Sequence, residues 1–130
     1  MRKMKYFTIQ ELTESATAKR LKIDNRPSIE SEQALIYLVE TVLDPARRLL
    51  GNPIKVNSGY RSPALNKAVR GAPNSQHMKG EAADITCSDN SRLFEILKSL
   101  PFDQLIWEKG GKWIHVSVKR AGNRKQILDL

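Results

Sequence analysis

The clearest hydrophobic pattern in the chain is an apolar face between Ile29 and Leu50. Apolar side chains recur there at steps of three and four residues, the spacing of one face of an α-helix. Within that helix, Pro45 is expected to cause a kink, and Gly51 is expected to end it. The positions on this predicted face are Leu35, Leu38, Val39, Val42, Ala46, Leu49 and Leu50.

Shorter helices are predicted on either side of this one. "FTIQEL" opens a helix at Thr8, and Glu11 stands three residues later, as in a capping box. "SPALNKAVR" predicts a helix with Ser62 as its cap and a proline at its first position. "NSRLFEILKSL" predicts another helix, which Pro101 ends. The segment "KIDNRPS" is predicted to be a loop.

After Pro53 the pattern changes to the alternation typical of strands. The predicted strands are "IKVNSGY", "AADITC", "DQLIWE" and "KWIHVSV", and a "KGG" turn joins the last two into a hairpin. "GAPNSQHMKG" is predicted to be a loop, and the tail after Lys119 shows no clear pattern. Together these elements predict one α+β domain over residues 1–130, with N-terminal helices packed on a small, mainly antiparallel sheet.

Composition is typical of a globular domain. The chain has 130 residues, 40% of them hydrophobic and 28% charged, which is enough for one packed core. No stretch approaches the roughly 18 apolar residues of a membrane span, so no membrane association is expected. The N-terminal "MRKMKYFTIQELTES" lacks an apolar core, so no secretory signal is predicted and synthesis in the cytoplasm is expected. A single cysteine, Cys87, excludes an internal disulfide and cysteine-rich zinc sites.

The formal net charge of +8 suits polyanionic partners such as nucleic acid, an anionic cell wall or an acidic lipid surface. The basic residues are spread along the chain, and no basic stretch interleaved with aromatic residues stands out. Nucleic acid is therefore not an expected partner. A solvated basic surface and a surface that binds another polyanion both remain open.

The two histidines are the first indication of chemistry. His77 lies in the predicted loop, Asp84 lies at or near the start of the following strand, and His115 lies in the last strand of the hairpin. Two imidazoles and one carboxylate are a common ligand set for catalytic zinc, because three protein ligands leave a fourth position for water or substrate. Taken alone the spacing is weak evidence, since a histidine in an apolar strand is more often a satisfied core residue.

The whole string "SQHMKGEAADI" resembles the S-x-H-x-x-G-x-A-x-D motif of the M15 zinc peptidases, the group of D-alanyl-D-alanine carboxypeptidases and phage endolysins. "VNSGYRSPALN" resembles their upstream segment, and "WIHVSV" resembles their second histidine strand. The resemblance covers residues 54–118, and the helix-rich start is similar to the short, single-domain branch of the family. The zinc site also resembles that of hedgehog signalling domains.

This resemblance implies a role for each matching residue. His77, Asp84 and His115 would bind zinc, one ion per chain. Arg61 would face the site and hold the scissile carbonyl oxygen as it becomes an oxyanion. Ser75 matches the motif serine, and substrate binding, loop orientation and simple turn formation are all open for it.

The general base departs from the usual family pattern. Many members carry Glu or His three positions before the last ligand histidine, where this chain has Lys112. Glu108 precedes the hairpin turn, and strand alternation places it on the face of His115 if it pairs near Trp113. Glu108 is therefore the predicted base, in an arrangement that also resembles hedgehog domains, and Trp113 is a candidate substrate contact, with core packing equally open. The weaker candidates for the base are Asp103 and Glu81.

The resemblance implies a zinc peptidase that cleaves the stem peptides of peptidoglycan, as a D-Ala-D-Ala carboxypeptidase or as an endopeptidase. We expect a monomer that acts on the cell wall, and release of the kind that phage lysis proteins use is one route by which it would get there. Two other functions stay open. One is a zinc-binding module without catalysis, which Lys112 favours, and the other is a basic domain that binds polyanions.

Overall fold

A computed structural model describes residues 4–130, so the first three residues of the basic N-terminal stretch lie outside the described residues. The helices are α1 (Ile9–Thr13), α2 (Ala16–Leu21), α3 (Ile29–Leu38), α4 (Asp44–Leu50), α5 (Pro63–Ala68) and α6 (Asn90–Lys98). The strands are β1 (Lys55–Ser58), β2 (Ala82–Thr86), β3 (Gln104–Glu108), β4 (Trp113–Ser117) and β5 (Gln126–Asp129). The predicted α+β fold is confirmed.

The strands form one five-stranded sheet in the order β1-β2-β4-β3-β5. All neighbours are antiparallel except β3 and β5, which run parallel. Successive side chains of a strand point to opposite faces, so each strand contributes to two surfaces. One face packs on the helices and forms the core, through Ala83, Ile85, Leu105, Ile114 and Val116. The polar residues of β2, β3 and β4 therefore lie on the other face.

The long apolar segment is not one uniform helix. Between α3 and α4 the backbone forms a π-helical turn, Val39–Leu43, in which the Asp44 N–H donates to the Val39 carbonyl. Pro45 follows at the start of α4, where its missing N–H and its ring are tolerated. A π-turn changes the rotation of the residues after it. The prediction that Leu49 belongs to the apolar face was wrong, since this side chain is 52% exposed. The other six predicted positions are buried.

Three short elements were not predicted. After α1 ends, Ser15 caps a second helix, α2, through a hydrogen bond from the Ala18 N–H. The stretch predicted as a loop contains a one-turn 3₁₀ helix, Gln76–Lys79. The tail forms strand β5 at the edge of the sheet, where Gln126 pairs with Gln104. Within the described residues, no helix has both the length and the apolar character of a membrane span.

Asn25 lies in the loop predicted from "KIDNRPS" and joins this loop to the end of α1 and to the segment before α5. Its side-chain oxygen accepts a 2.7 Å hydrogen bond from the Ser62 N–H. Its side-chain nitrogen donates to the carbonyls of Thr13, at 2.8 Å, and Tyr60, at 3.1 Å. The end of α1 and the segment before α5 are thus held together by one amide group.

We expect Asn25→Ala to lower the free energy of unfolding by about 1–3 kcal/mol, because it leaves partly buried backbone groups without partners. Urea unfolding followed by circular dichroism measures the change. The exposed Asn52 offers a matched control, and Asn52→Ala should change stability by less than about 0.5 kcal/mol. An Asn25→Ala protein as stable as the unmodified chain would contradict the role of this amide.

Candidate metal centre

The structure brings His77, Asp84 and His115 together. Each offers one ligand atom, and these atoms all lie within 4.8 Å of one another. Asp84 Oδ1 lies between the rings, 2.9 Å from His115 Nδ1 and 3.4 Å from His77 Nε2. His77 is 2% exposed, and the side chains of Asp84 and His115 are partly exposed. Residues far apart in the chain thus converge on one point at the bottom of a cleft.

Sheet pairing places two members of this group. Asp84 in β2 is directly opposite His115 in β4. Directly opposite residues in an antiparallel pair share a face and have neighbouring side chains. The alternation within each strand sends Ile85 and Ile114 to the core, so Asp84 and His115 point away from it.

His77 reaches the group from the 3₁₀ helix. Ser75 caps this helix, and its hydroxyl accepts a hydrogen bond from the His77 N–H at 3.1 Å. Gly80 ends the helix with a φ of +76°, and a Cβ at that position would overlap the Ser31 carbonyl. Glycine is therefore required there both for the backbone conformation and for the close packing against α3.

The ring orientation of His77 is set by the backbone. His77 Nδ1 lies 2.7 Å from the Gly59 carbonyl oxygen, so Nδ1 donates its proton to that oxygen and Nε2 is the ring nitrogen that faces Asp84. A carbonyl partner for the second ring nitrogen is the usual arrangement behind a metal-binding histidine. Gly59 itself lies against the Leu12 carbonyl, where a Cβ would not fit.

The carboxylate of Asp84 is kept ionised by its neighbours. Burial raises its pKa, but hydrogen bonds from His115 and His77, together with their charge, outweigh burial and hold the pKa well below the usual range. Burial lowers the pKa of the Arg61 guanidinium, and the charge of Asp84 opposes this change. The site thus keeps an ionised carboxylate next to two imidazoles.

The group opens into a cleft of about 800 Å³. Arg61 lines it from the segment after β1, and the Arg61 N–H donates to the His77 carbonyl at 3.0 Å. Its guanidinium Nη2 lies 3.4 Å from the Ser75 hydroxyl, and its buried Nε has no hydrogen-bond partner among the described residues. The Arg61 guanidinium is therefore held in the cleft by its backbone and by one long side-chain contact, with most of its donors unused among the described residues.

Glu108 and Trp113 also line the cleft, and they are directly opposite each other in the β3–β4 pair. Ile106 is opposite His115 in the same pair, so Glu108 is on the face of His115, as strand alternation predicted. Lys112 is exposed and is absent from the cleft lining. Of the weaker candidates for the base, Asp103 is fully buried in an ion pair with Arg124. Glu81 does not line the cleft, and its carboxylate accepts a hydrogen bond from the Gln76 side chain.

The residues present fit a zinc ion. Two nitrogens and one carboxylate converge from three separate segments, and three protein ligands are the number that a catalytic zinc site uses. The Gly59 carbonyl already selects the nitrogen that His77 would offer. The same atoms, His77 Nε2 and His115 Nδ1, now contact Asp84 Oδ1 directly. An ion bound between the three side chains would replace these two contacts.

Some residues of the cleft were not predicted. The sequence carried no signal for the Gly59 carbonyl, because a backbone group has no side-chain signature. Side chains that line the cleft but were not singled out include Arg70, Gln104, Lys109 and Arg124. Arg124 lies in the tail after Lys119, and its position at the cleft depends on the pairing of β5 with β3.

Comparison with known proteins gives two matches. A profile described as Peptidase M15 matches residues 5–117. A stretch of 44 residues is 50% identical to the zinc D-Ala-D-Ala carboxypeptidase of Streptomyces albus G. That stretch is 33% of this chain and 17% of the relative, so the chain matches only a small part of that protein.

We expect purified protein to contain about one zinc per chain and His77→Ala to lose it, because a three-ligand site reduced to two binds zinc weakly. Elemental analysis after dialysis measures the stoichiometry. Lys79→Ala is the matched control, since Lys79 is an exposed residue of the same 3₁₀ helix. Asp84→Asn covers the case in which His77→Ala fails to fold. Full zinc content in both ligand variants would show that the ion binds elsewhere.

Proposed function

The chain belongs to the M15 peptidase family, and we propose that it is a zinc-dependent peptidase that cleaves the stem peptides of peptidoglycan. The proposal rests on one observation above all: His77, Asp84 and His115 converge in a cleft that Arg61 and Glu108 also line. The substrate class is supported by the name of the relative, a zinc D-Ala-D-Ala carboxypeptidase. Such a substrate places the action of the protein at the cell wall.

His77 through Nε2, Asp84 through its carboxylate and His115 through Nδ1 would hold the zinc. Bound there, zinc supplies a Lewis acid for the scissile carbonyl and makes water a nucleophile near neutral pH. Asp84 contributes the negative charge that two neutral imidazoles lack. The Gly59 carbonyl keeps the His77 ring in the required tautomer.

Glu108 acts as the general base. It accepts a proton from the attacking water while the water oxygen bonds to the scissile carbonyl carbon. It then donates that proton to the leaving nitrogen as the carbon–nitrogen bond breaks. One water is consumed, and an acid and an amine are released. The support for this role is the position of Glu108 in the cleft, one alternation step from Ile106, which is paired with His115.

Arg61 stabilises the negative charge that develops on the carbonyl oxygen. Among the described residues its guanidinium makes one long contact, 3.4 Å from Nη2 to the Ser75 hydroxyl, which leaves Nη donors for a substrate oxygen. A donor fixed before the reaction stabilises the transition state without reorganisation at the moment of bond breaking. Ser75 and Trp113 line the same cleft and complete the proposed substrate contacts.

The cleaved bond is one of three: D-Ala–D-Ala, a D-Ala cross-link or L-Ala–D-Glu. Purified peptidoglycan and synthetic stem peptides with each bond, incubated with the protein, separate these cases by the masses of the products. We expect cleavage that stops after chelation and returns when zinc is added. Absence of cleavage by a zinc-loaded protein would favour the non-catalytic zinc module instead.

Glu108→Gln should keep about one zinc and lower turnover by roughly two to four orders of magnitude, because the amide cannot accept the proton. Product formation by mass spectrometry and zinc content are measured on the same sample. Glu95→Gln, an exposed change in α6, is the matched control. A Glu108→Gln protein with the normal rate would assign the base to another group.

Arg61→Ala should keep zinc and lower kcat by roughly two to three orders of magnitude, as for the loss of one oxyanion donor. Arg61→Lys should recover part of the rate, since it restores the charge but not the planar fork. The exposed Arg20 in α2 provides the control substitution Arg20→Ala. A normal kcat in Arg61→Ala would remove the oxyanion role.

A further inference from the structure

The cleft extends along β3 beyond the proposed reaction centre. Glu108 lines one end of this strand, Ile106 lies opposite His115, and Gln104 lines the other end. Arg124 also lines the cleft, and its N–H donates to Asp103, the residue before Gln104. Arg124 belongs to the tail that follows the region matched by the family profile, residues 5–117.

The charges that line the cleft are unbalanced. Four of the lining side chains are permanent cations, whereas two are carboxylates. The carboxylate of Asp84 is already engaged by the two imidazoles. An anionic substrate is therefore favoured over a neutral or cationic one. The cations are Arg61, Arg70, Lys109 and Arg124, and the carboxylates are Asp84 and Glu108.

Arg124 is fixed by a buried partner. Asp103 is fully buried, and its Oδ2 accepts a 2.6 Å hydrogen bond from Arg124 Nη2. Asp103 Oδ1 accepts a 2.7 Å bond from the Arg124 N–H. The hydrogen bond from the Arg124 side chain lowers the pKa of Asp103, so this carboxylate is charged at neutral pH. The guanidinium is consequently held in one orientation at the end of the cleft.

The single negative charge of Asp103 cannot neutralise both of the cations beside it, Arg124 and Lys119. Lys119 Nζ lies 3.9 Å from Asp103 Oδ1, so two cations share a single carboxylate and a positive charge is left over. The Arg124 side chain is 50% exposed, and within the described part of the chain its Nη1 has no hydrogen-bond partner. An oriented guanidinium with free donors and surplus charge is suited to bind a carboxylate.

The strand register gives the distance from the reaction centre. A strand rises about 3.3 Å per residue, so Gln104 is about 7 Å along β3 from Ile106 and about 13 Å from Glu108. An extended peptide advances by a similar amount per residue. A group bound near Gln104 and Arg124 would thus lie about two residues from the bond under attack.

We propose that Arg124, positioned by Asp103 and Lys119, forms a subsite for a substrate carboxylate about two residues from the scissile bond. This inference rests on the proposed function. The carboxylate has two possible sources, the C-terminal α-carboxylate of a short substrate or the side chain of an acidic residue. Arg124 would determine which peptides bind, and the residues near His115 would carry out the cleavage.

The test uses peptides that differ only in charge. A stem peptide is prepared in four forms. Its C-terminus is either a free carboxylate or an amide, and the position of its acidic residue holds either Glu or the neutral Gln. We expect one of the neutral forms to raise KM by about 10- to 100-fold, the range for a hydrogen bond between charged groups. The affected form identifies the source of the carboxylate. The ratio between peptides is internal to each protein, so a partial loss of folded protein does not change it.

Arg124→Gln should abolish this discrimination, because it removes the charge that binds the carboxylate, and Arg124→Lys should retain part of it. Arg120→Gln removes the same charge from the same tail, but Arg120 stacks 5.0 Å from the Tyr37 ring and does not line the cleft. That control should discriminate as the unmodified chain does. Equal use of all four peptides by the unmodified chain, or unchanged discrimination in Arg124→Gln, would overturn the subsite.

A binding measurement distinguishes failure of the proposed peptidase activity from failure of the proposed subsite. If no peptide is cleaved, the affinities of the same four peptides are measured by calorimetry on the zinc-loaded protein and on Arg124→Gln. A preference for the charged peptide that requires Arg124 would support the subsite even though the peptidase proposal had failed. Equal affinities would overturn the subsite as well.

Discussion

The pairing of Asp84 with His115 across β2 and β4 is the constraint on which the rest of the site depends. It places a carboxylate and an imidazole on the same face of the sheet, 2.9 Å apart. A shift of one residue in this register would put Asp84 opposite a core residue of β4, Ile114 or Val116, so Asp84 and His115 could no longer both face the cleft. The core residues Ile85 and Ile114, which alternate with Asp84 and His115, therefore hold the register that keeps these two candidate ligands on the cleft face.

The remaining parts of the site are fixed by backbone contacts more than by side chains. His77 is oriented by the Gly59 carbonyl, and Arg61 is joined to the same loop by its own N–H. Gly59 and Gly80 lie against carbonyls of α1 and α3, so the helices determine where the loop with His77 can run. Burying two imidazoles, a carboxylate and a guanidinium together costs free energy. The backbone contacts of Gly59, Gly80 and Arg61 hold these side chains in the cleft in spite of that cost.

Sequence patterns correctly predicted the features that depend on interactions between residues close together in the chain. The caps Thr8 and Ser62, the end of α4 at Gly51 and the alternating strands were all visible in the sequence. The π-turn was not predicted, because it depends on how α3 and α4 pack around Pro45, and Leu49 was misassigned as a result. Strand β5 was not predicted either, since a parallel edge strand is stabilised by its partner β3 and not by its own pattern. The site shows the same division between local and tertiary information. The sequence motifs predicted the four site residues His77, Asp84, His115 and Arg61. The Gly59 carbonyl and Arg124 were not predicted, because only tertiary contacts bring them to the site.

The central claim is that these three side chains form a zinc site whose donor atoms are set before the ion binds. A crystal structure of the zinc-loaded protein, with diffraction recorded on both sides of the zinc absorption edge, tests it most directly. We expect one anomalous peak about 2.0–2.2 Å from His77 Nε2, a carboxylate oxygen of Asp84 and His115 Nδ1, with the Gly59 contact intact. A peak bound to other residues, or a zinc-loaded protein in which His77 still bonds directly to Asp84, would contradict it.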